Sequence, residues 1–247
     1  MKLRFSGHRA LIVGGTCDLA IALARRMIAS HLYPVLTART SEGCKKIHHR
    51  LDGDTAHYQV LTMDLGDRTT LDALFSEPDH DPDYVVDFAQ EDLEALVAMA
   101  RTDEVYSYFE KNVSFRAELL RKASRAMLKK KKGRLIFISS TAAARPNPGQ
   151  GFYASAKLAC EALYRNIGLE MGSKGITTLS LRAGYINAGR GETYLGTDKE
   201  TAIDKVPIKR ALSMAEVAET VLFFLSESAG GFNAVEICMD GGLTAGK

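Results

Sequence analysis

A tyrosine and a lysine four positions apart, Tyr153 and Lys157, are the side chains whose types and spacing point most directly to chemistry. They open an alanine-rich run with helical character, and residues four apart lie on one face of a helix. An ammonium group beside a phenol stabilises the phenolate and lowers a tyrosine pKa that is otherwise about 10. Such a tyrosine can act as a general acid or base. The competing interpretation is a chance pair on a helix surface, and the rest of the chain must decide.

Length and composition are those of an ordinary globular chain. Of its 247 residues, 46% are apolar and 25% are charged, and the net charge is +2. The basic residues are scattered, which gives no indication of a nucleic-acid or membrane surface. The densest basic run, four lysines at 129–132, precedes Gly133 and is typical of the last turn of a helix. A nucleic-acid patch is the less favoured alternative for this run.

Cysteine usage and apolar patterning indicate the compartment. The cysteines lie far apart and none has zinc or redox spacing, which suits a reducing cytosol: they are Cys17, Cys44, Cys160 and Cys238. Charged residues interrupt the first segment, so it is not a signal peptide, and no apolar run reaches membrane-spanning length. We therefore expect a cytoplasmic protein with no metal site and no membrane or nucleic-acid partner.

A glycine turn between an apolar strand and a helix predicts a dinucleotide site near the N-terminus. The strand at 10–13 leads into Gly14-Gly15-Thr16-Cys17-Asp18, and a helix follows to about residue 29. Glycines allow the backbone to approach a pyrophosphate closely, and a helix N-terminus favours its negative charge. Asp18 is placed to cap that helix. The later glycines usual in such a turn are missing, so the turn alone does not decide the function.

The end of the second predicted strand, at 33–38, indicates which dinucleotide is used. A site for NAD would carry an acid there to hold the ribose 2′-hydroxyl, but the chain has Ala38 followed by Arg39 and Thr40. A guanidinium group suits a 2′-phosphate. The sequence therefore favours NADP(H) over NAD(H), although a solvated arginine at a strand end is the alternative.

Five further strands are predicted at 57–62, 83–86, 133–138, 175–182 and 233–239, with helices at 68–75, 102–132, 152–171 and 214–226. Asn112 lies within the long helix, where asparagine is a mediocre residue, so it is either exposed or present for a purpose. Residues 184–206 are glycine-rich with few regular signals, which suits a mobile substrate lid.

The alternation of strands and helices predicts an α/β fold. We expect residues 1–247 to form a single-domain, Rossmann-type, doubly wound sheet of seven mainly parallel strands flanked by helices. Ligands of such sheets bind beyond the carboxyl ends of the strands. The residues that fall at those ends are Gly14, Arg39, Asp64, Ala89, Ser140 and Gly184.

The ordered set of motifs resembles the short-chain dehydrogenase/reductase family over essentially the whole chain. The resemblance rests on the glycine turn and on motifs at Asp64-Leu65, Asn112-Val113, Ser139-Ser140, Tyr153-Ala-Ser-Ala-Lys157, Arg182-Ala-Gly-Tyr-Ile186 and Asp240-Gly-Gly242. It implies a catalytic tetrad of Asn112, Ser140, Tyr153 and Lys157. Ser140 is chosen over Ser139 because it has the family's thirteen-residue offset from the tyrosine.

The resemblance also implies the role of each site residue. Tyr153 would protonate the carbonyl oxygen while the nicotinamide delivers a hydride to carbon, and Ser140 would polarise that oxygen. Lys157 would lower the pKa of Tyr153 and hold the nicotinamide ribose, while Asn112 would position a water that relays protons to Lys157. The implied cofactor contacts are Gly14, Thr16, Cys17, Asp18, Leu19, Arg39, Thr40, Asp64, Leu65, Phe88, Ala89, Tyr153, Lys157, Gly184 and Ile186.

Several positions depart from the family pattern. Asp18 and Ala20 replace the later glycines of the cofactor turn, and Asp87-Phe88-Ala89-Gln90 replaces Asn-Asn-Ala-Gly at the end of the fourth strand. The second change is expected to alter how this segment stabilises the central sheet and how it contacts the adenosine. Ala183 and Ala188 stand where the family has proline and threonine. We expect cofactor binding to be weaker or differently shaped.

The resulting expectation is an NADP(H)-dependent oxidoreductase that reduces a carbonyl or oxidises the matching alcohol. Its substrate would be a small-molecule carbonyl compound or an acyl thioester, as in 3-oxoacyl-(acyl-carrier-protein) reductases. The alternative is a catalytically silent nucleotide-sensing or scaffold protein on the same fold. The resemblance further implies a homodimer or homotetramer formed through the long helix around Asn112 and the Tyr153 helix.

Overall fold

A computed structural model describes residues 3–76, 81–189 and 202–245. Within these residues the chain forms one seven-stranded sheet in the order β3-β2-β1-β4-β5-β6-β7, and every neighbouring pair is parallel. The strands are β1 (Arg9–Val13), β2 (Tyr33–Ala38), β3 (Gln59–Thr62), β4 (Tyr84–Asp87), β5 (Gly133–Ser140), β6 (Ile176–Ala183) and β7 (Val235–Met239). The predicted single-domain, doubly wound fold is confirmed.

Helices cover both faces of the sheet. Successive strand residues point to opposite faces, so Leu11 and Ile12 join different hydrophobic clusters. One cluster contains apolar residues of α1, α2 and α7, and the other contains those of α3, α5 and α6. The helices are α1 (Asp18–Ala29), α2 (Ser41–Arg50), α3 (Arg68–Leu74), α4 (Thr102–Phe109), α5 (Phe115–Lys130), α6 (Gly151–Met171) and α7 (Met214–Leu225).

The long helix predicted at 102–132 is divided by a π-helical turn, Glu110–Ser114, that joins α4 to α5. Asn112 is at the centre of this turn and is fully buried. Its Nδ2 donates to the carbonyl oxygen of Tyr108 at 2.9 Å. In a regular α-helix that carbonyl oxygen would instead accept from the backbone N–H of residue 112. The asparagine that is unfavourable in an uninterrupted helix therefore accompanies the change of helical pitch.

The N-cap of α1 corrects a prediction. Cys17, not Asp18, is the capping residue, because its Sγ accepts a hydrogen bond from the backbone N–H of Ala20 at 3.4 Å. Asp18 is instead the first helical residue, and its carboxylate contacts Arg50 at 2.7 Å. An acidic residue is favourable at either position because both lie in the positive field of the helix N-terminus. The sequence pattern does not separate the two positions.

Three further expectations concern the lid, a membrane-spanning helix and a metal site. Most of the lid predicted at 184–206 falls on residues 190–201, which lie outside the described residues. In the part of the chain that the structure describes, no helix is long and apolar enough to cross a membrane. The same residues contain no cluster of three or more histidine, cysteine or acidic side chains that could hold a metal ion.

Candidate active site

The sheet has a crevice at its carboxyl edge, between β1 and β4. The chain builds outward from β1 through β2 to β3 and then returns to place β4 on the other side of β1. The loops after β1 and β4 therefore leave in opposite directions, which opens the crevice in which doubly wound sheets bind their ligands. All the candidate site residues except Asn112 and the two on α6 follow or end a strand at this edge.

Gly14 forms one wall of the crevice. Its φ of +79° is a left-handed conformation, and a Cβ there would lie 2.8 Å from the backbone nitrogen of Ala89. Only glycine therefore allows the turn after β1 to meet the loop after β4. Thr16 and Asp18 are half-buried, Cys17 is exposed, and Leu19 is buried.

The N-terminus of α1 opens on the same crevice and provides the backbone N–H groups and dipole that suit a pyrophosphate. Asp18 in the first turn is the only acidic residue there. Because its carboxylate forms an ion pair with Arg50, its negative charge is partly offset. This chemistry fits a dinucleotide, although the usual later glycines are missing.

The far end of the crevice is surrounded by the loops after β2, β3 and β4. Arg39 follows β2 with 64% of its side chain exposed, and its Nη1 lies 3.4 Å from the Glu91 carboxylate. Lys111, in the π-helical turn, contacts the other oxygen of Glu91 at 3.3 Å. Thr40 caps α2 by accepting from the N–H of Gly43 at 3.1 Å. Two cations therefore share one carboxylate at this end of the crevice.

The residues after β3 stabilise their own loop. The Asp64 carboxylate accepts from the backbone N–H of Gly66 at 3.0 Å, and the backbone N–H of Asp64 donates to Thr70 Oγ1 at 3.0 Å. Leu65 is half-buried beside them. A Cβ on Gly66 would lie 3.8 Å from Lys111 Cε, so this loop borders the same end of the crevice.

Tyr153 and Lys157 are neighbours on the first two turns of α6. Lys157 Nζ lies 5.6 Å from the centroid of the Tyr153 ring and 4.7 Å from that of Phe137 on β5. The lysine is buried and donates to the carbonyl oxygen of Ile138 at 2.8 Å, whereas Tyr153 is half-buried. The spacing in sequence therefore corresponds to an ammonium group beside the tyrosine ring, at the carboxyl end of β5.

The two serines that end β5 point in different directions. Ser139 is buried, and its hydroxyl donates to Glu161 Oε1 at 2.6 Å. Ser140 is only half-buried, and its Oγ accepts from the backbone N–H of Ala142 at 3.1 Å. Consecutive strand residues face opposite sides of a sheet, so the buried contact of Ser139 leaves Ser140 as the serine nearer solvent.

Asn112 ties the π-helical turn to the loop after β4. Its Oδ1 accepts from the backbone N–H of Glu91 at 2.8 Å. Its carbonyl oxygen accepts from the guanidinium of Arg116 and, at 3.3 Å, from the thiol of Cys160. Both oxygens and the amide nitrogen of Asn112 thus have protein partners, a placement suited to fixing the loop.

Comparisons with known proteins match nearly the whole chain. A family model described as enoyl-(acyl carrier protein) reductase matches residues 16–244. The chain belongs to the short-chain dehydrogenase/reductase family. It is 25% identical to the 3-oxoacyl-[acyl-carrier-protein] reductase of Buchnera aphidicola over 241 residues, covering 98% of this chain and 99% of the relative. The same-named enzyme of Haemophilus influenzae is 25% identical over 240 residues, covering 96% and 98%.

Solved structures extend the likeness to the whole fold. A short-chain dehydrogenase/reductase family protein superposes with a TM-score of 0.86 at 26% identity, covering 99% of this chain and 100% of the other. A gluconate 5-dehydrogenase from Burkholderia cenocepacia, solved with NADP and tartrate, gives a TM-score of 0.90 at 21% identity, covering 100% of this chain and 98% of the other. At 21% identity the second likeness concerns the fold alone.

The last two candidate residues, Gly184 and Ile186, lie at the carboxyl end of β6. Gly184 donates its N–H to the carbonyl oxygen of Met239, and a Cβ on it would lie 2.8 Å from Asp240 Cα. Ile186 is half-buried and forms an isolated parallel bridge with Leu212. Glycine at position 184 therefore lets the end of β6 pack closely against the backbone of Asp240, the first residue of the Asp240-Gly241-Gly242 motif.

Two ion pairs, each with a buried carboxylate, are absent from the sequence-based prediction. Arg116 contacts Asp87 at 2.5 Å, and Arg182 contacts Glu161 at 2.6 Å. One signal of the first pair was available in the sequence. Arg116 lies three and four positions before Leu119 and Leu120, which places a charged residue on the apolar face of α5.

Burial and charge both shift the pKa values of groups in and around the first pair. Burial lowers the pKa of Arg116, but the adjacent Asp87 carboxylate outweighs it and the net shift is upward. Burial, reinforced by Asp87, raises the pKa of Tyr164 well above its usual value. Burial also raises the pKa of the Cys160 thiol, which keeps it protonated at neutral pH.

Proposed function

We propose that the chain is an NADP(H)-dependent oxidoreductase that reduces a carbonyl group, with a 3-oxoacyl thioester as the favoured substrate class. The observation that carries the proposal is the pairing of Lys157 with the Tyr153 ring and with the carbonyl oxygen of Ile138, two residues before Ser140 at the carboxyl end of β5. The substrate class is supported by the full-length similarity to 3-oxoacyl-[acyl-carrier-protein] reductases.

In this proposal the chain holds the dinucleotide across the crevice. The pyrophosphate would lie on the N-terminus of α1, next to Gly14, Thr16 and Leu19. The adenosine would lie between the loops that carry Leu65 and Ala89. When bound, the nicotinamide supplies the hydride that reaches the carbonyl carbon.

The proton side of the reaction is assigned to residues of β5 and α6. Tyr153 donates a proton to the carbonyl oxygen as the carbon is reduced, which converts the ketone to an alcohol. Ser140 donates a hydrogen bond to the same oxygen and stabilises the charge that develops there. Lys157 stabilises the phenolate form of Tyr153 by charge and holds the nicotinamide ribose.

Asn112 acts in this proposal as a positioning residue. Its bonds to the N–H of Glu91 and the carbonyl oxygen of Tyr108 fix the loop after β4 against the π-helical turn. Its partners within the protein support this role over the water relay that the family resemblance implies.

Preference for NADP(H) is assigned to Arg39, with Thr40 beside it. The guanidinium suits a 2′-phosphate, and β2 ends in Ala38 instead of an acid that could hold a 2′-hydroxyl. Glu91 competes for the same guanidinium in the free protein. On this basis the 2′-phosphate must displace Glu91, which can stay paired with Lys111.

A homodimer or homotetramer is part of the proposal. The segment between β4 and α4 exposes large apolar side chains, among them Leu96, Val97 and Met99, and Tyr106 on α4 is 75% exposed. Exposed apolar side chains this close together are typical of an interface. Light scattering coupled to size exclusion would measure the assembly, and a monomer at micromolar concentration would contradict it.

The direct experiment follows NADPH oxidation with a panel of 3-oxoacyl thioesters, small ketones and quinones. We expect turnover with at least one thioester, and slower turnover with NADH. Tight NADPH binding without turnover of any panel member would favour the alternative, a catalytically silent sensor or scaffold. Absence of binding of either dinucleotide would contradict both.

A further inference from the structure

Arg116 is a buried cation on a helix that carries none of the proposed reacting groups. Its side chain is 1% exposed and lies on α5, next to the π-helical turn. A guanidinium group is stable in such a place only when a counter-charge and hydrogen-bond acceptors surround it. Asp87, also fully buried, supplies the counter-charge at the end of β4.

The remaining bonds of Arg116 go to the elements that form the crevice. Its Nη2 donates to the carbonyl oxygen of Ala89, and its Nη1 donates to the carbonyl oxygen of Asn112. Nη1 also lies 3.3 Å from the Sγ of Cys160 on α6. One side chain thus joins the loop after β4, the π-helical turn and the helix that carries Lys157.

Asp87 also forms a hydrogen bond with the loop after β4. Its Oδ1 accepts from the backbone N–H of Ala89 at 3.0 Å, and its Oδ2 accepts from the Tyr164 hydroxyl at 3.3 Å. The N–H of Ala89 is therefore bonded to Asp87, and its carbonyl oxygen to Arg116. This same residue is the one that a Cβ on Gly14 would meet.

We propose that Arg116, acting through Asp87 and Ala89, is a positioning residue that sets the separation between the glycine turn and the loop after β4, and thereby the affinity for the dinucleotide. This inference rests on the proposed function, because it concerns the same crevice. It also accounts for the aspartate at position 87: an amide could bond Ala89, but only a carboxylate neutralises the buried guanidinium.

The test must separate positioning from general stability. Arg116→Met alone leaves Asp87 buried without a counter-charge and is expected to unfold readily. The informative variant is the double change Asp87→Asn with Arg116→Met, which removes both charges and keeps a side chain that can accept from Ala89. We expect it to fold and to bind NADPH about tenfold more weakly by calorimetry, while kcat at saturating NADPH changes less than about threefold.

Arg116→Lys is the conservative variant. A lysine keeps the counter-charge for Asp87, but as a point charge it cannot reproduce the planar fork that bonds two carbonyl oxygens and the carboxylate. We expect it to recover the thermal stability that Arg116→Met loses, without recovering the affinity for NADPH. Recovery of both would mean that charge alone matters and would overturn the assignment.

Arg134→Met is the matched control. Arg134 is half-buried at the amino end of β5 and donates to the carbonyl oxygens of Phe224 and Ser226. Its loss removes a comparable set of bonds on the opposite edge of the sheet. We expect a fall in melting temperature with NADPH affinity unchanged; an equal loss of affinity in the control and the double variant would make Arg116 merely structural.

Hydrogen exchange in the ligand-free protein distinguishes failure of this inference from failure of the proposed function. The backbone N–H of Glu91, which donates to Asn112, should be protected in the parent chain and should exchange about tenfold or more faster in the double variant, but not in Arg134→Met. Unchanged protection in the double variant overturns the inference, whether or not the chain turns over a substrate.

Discussion

Two buried carboxylates at the carboxyl edge of the sheet each pair with an arginine. The two pairs differ in the backbone segments that they stabilise. In the first, which we call the cofactor-side pair, Asp87 and Arg116 are both buried. In the second, the reacting-side pair, Glu161 is buried but the Arg182 side chain is 19% exposed. The first pair is sealed within the protein, whereas solvent reaches one member of the second.

The bonding of the two arginines explains the difference. Arg116 donates hydrogen bonds to main-chain carbonyl oxygens in the loop after β4 and in the π-helical turn, so it holds backbone outside the regular strands and α-helices. Arg182 donates hydrogen bonds from Nε and Nη2 to the Glu161 carboxylate, at 2.8 and 2.6 Å. Glu161 also accepts from the hydroxyl of Ser139. Ser139 and Arg182 are register partners on β5 and β6. The second pair thus supports regular strands that are already hydrogen-bonded to each other.

Helix α6 connects the two pairs. One turn beyond Lys157 it carries both Cys160, which contacts Arg116, and Glu161, which contacts Arg182. The comparison therefore predicts different consequences on the two sides: changes at the cofactor-side pair should alter dinucleotide binding, and changes near Ser140 and Tyr153 should alter the chemical step.

The largest effect is expected on the reacting side. Tyr153→Phe removes the proposed proton donor and should lower kcat by about 10²–10⁴-fold, with NADPH affinity nearly unchanged. Steady-state kinetics and calorimetry measure the two quantities. Tyr33→Phe, at a half-buried tyrosine that begins β2 on the opposite edge of the sheet, is the control and should be silent. Retained activity in the Tyr153 variant would refute the acid assignment.

The stability of the two pairs gives the next largest contrast. Arg116→Met leaves a fully buried carboxylate without its counter-charge and should cost about 3–5 kcal/mol in the free energy of unfolding. Arg182→Met should cost less, about 1–3 kcal/mol, because solvent can reach the vacated position and Ser139 still bonds Glu161. Denaturant titration measures both values. An equal loss in the free energy of unfolding for the two variants would mean that solvent access to Arg182 does not matter.

The ratio of the affinities for NADPH and NADH tests the role proposed for Arg39. Arg39→Asp should weaken NADPH by about tenfold or more and NADH much less, because the 2′-phosphate loses a charge-assisted partner. Arg125→Asp, at an exposed arginine of α5, is the matched control. An unchanged ratio of the two affinities would show that Arg39 does not contact the 2′-phosphate.

Glu91→Gln should have a smaller effect of opposite sign. Removing the carboxylate that occupies Arg39 should tighten NADPH by about two- to fivefold and leave NADH nearly unchanged, because an exposed pair contributes little. Glu94→Gln, at an exposed residue of the same loop, serves for comparison. Weaker NADPH binding in the Glu91 variant would contradict competition.

A modest pH effect is expected at the other edge of the sheet. Burial raises the pKa of Asp83, but the backbone N–H groups of His8 and Arg9, with Lys130, outweigh it and the net pKa is lowered. Its contribution to stability is therefore complete above its ordinary value of 3.8 and is lost as pH falls through the lower folded value.

Asp83→Asn should accordingly cost about 1 kcal/mol at neutral pH, and the difference from the parent should shrink below about pH 4. Denaturant titrations at several pH values measure the difference. A gap between the two proteins that stays constant down to pH 2.5 would show that the pKa of Asp83 is not lowered by folding.

The fold could be predicted because its signals are local. The strand at 10–13, the glycines after it and the alanine-rich helix around Lys157 each follow from the types and spacing of nearby residues, and the structure places all seven predicted strands within a few residues. The parallel order then follows from the alternation of strands and helices.

What could not be predicted depends on contacts between distant segments. Asn112 in the π-helical turn accepts from the backbone N–H of Glu91, 21 positions away, and no local pattern indicates that partner. The role of Arg116 depends on Asp87, 29 positions away, and neither residue type indicates a buried partner. The N-cap of α1 was misplaced because Cys17 is not a residue type that normally caps a helix.

The most direct test of the central claim uses NADPH deuterated at the hydride position, with a panel of 3-oxoacyl thioesters and small ketones. Mass spectrometry then asks where the label goes. The account predicts an alcohol product with deuterium on the newly reduced carbon, formed by the parent chain and lost in Tyr153→Phe. Tight NADPH binding with no labelled product from any panel member, or equal labelling in the Tyr153 variant, would contradict it.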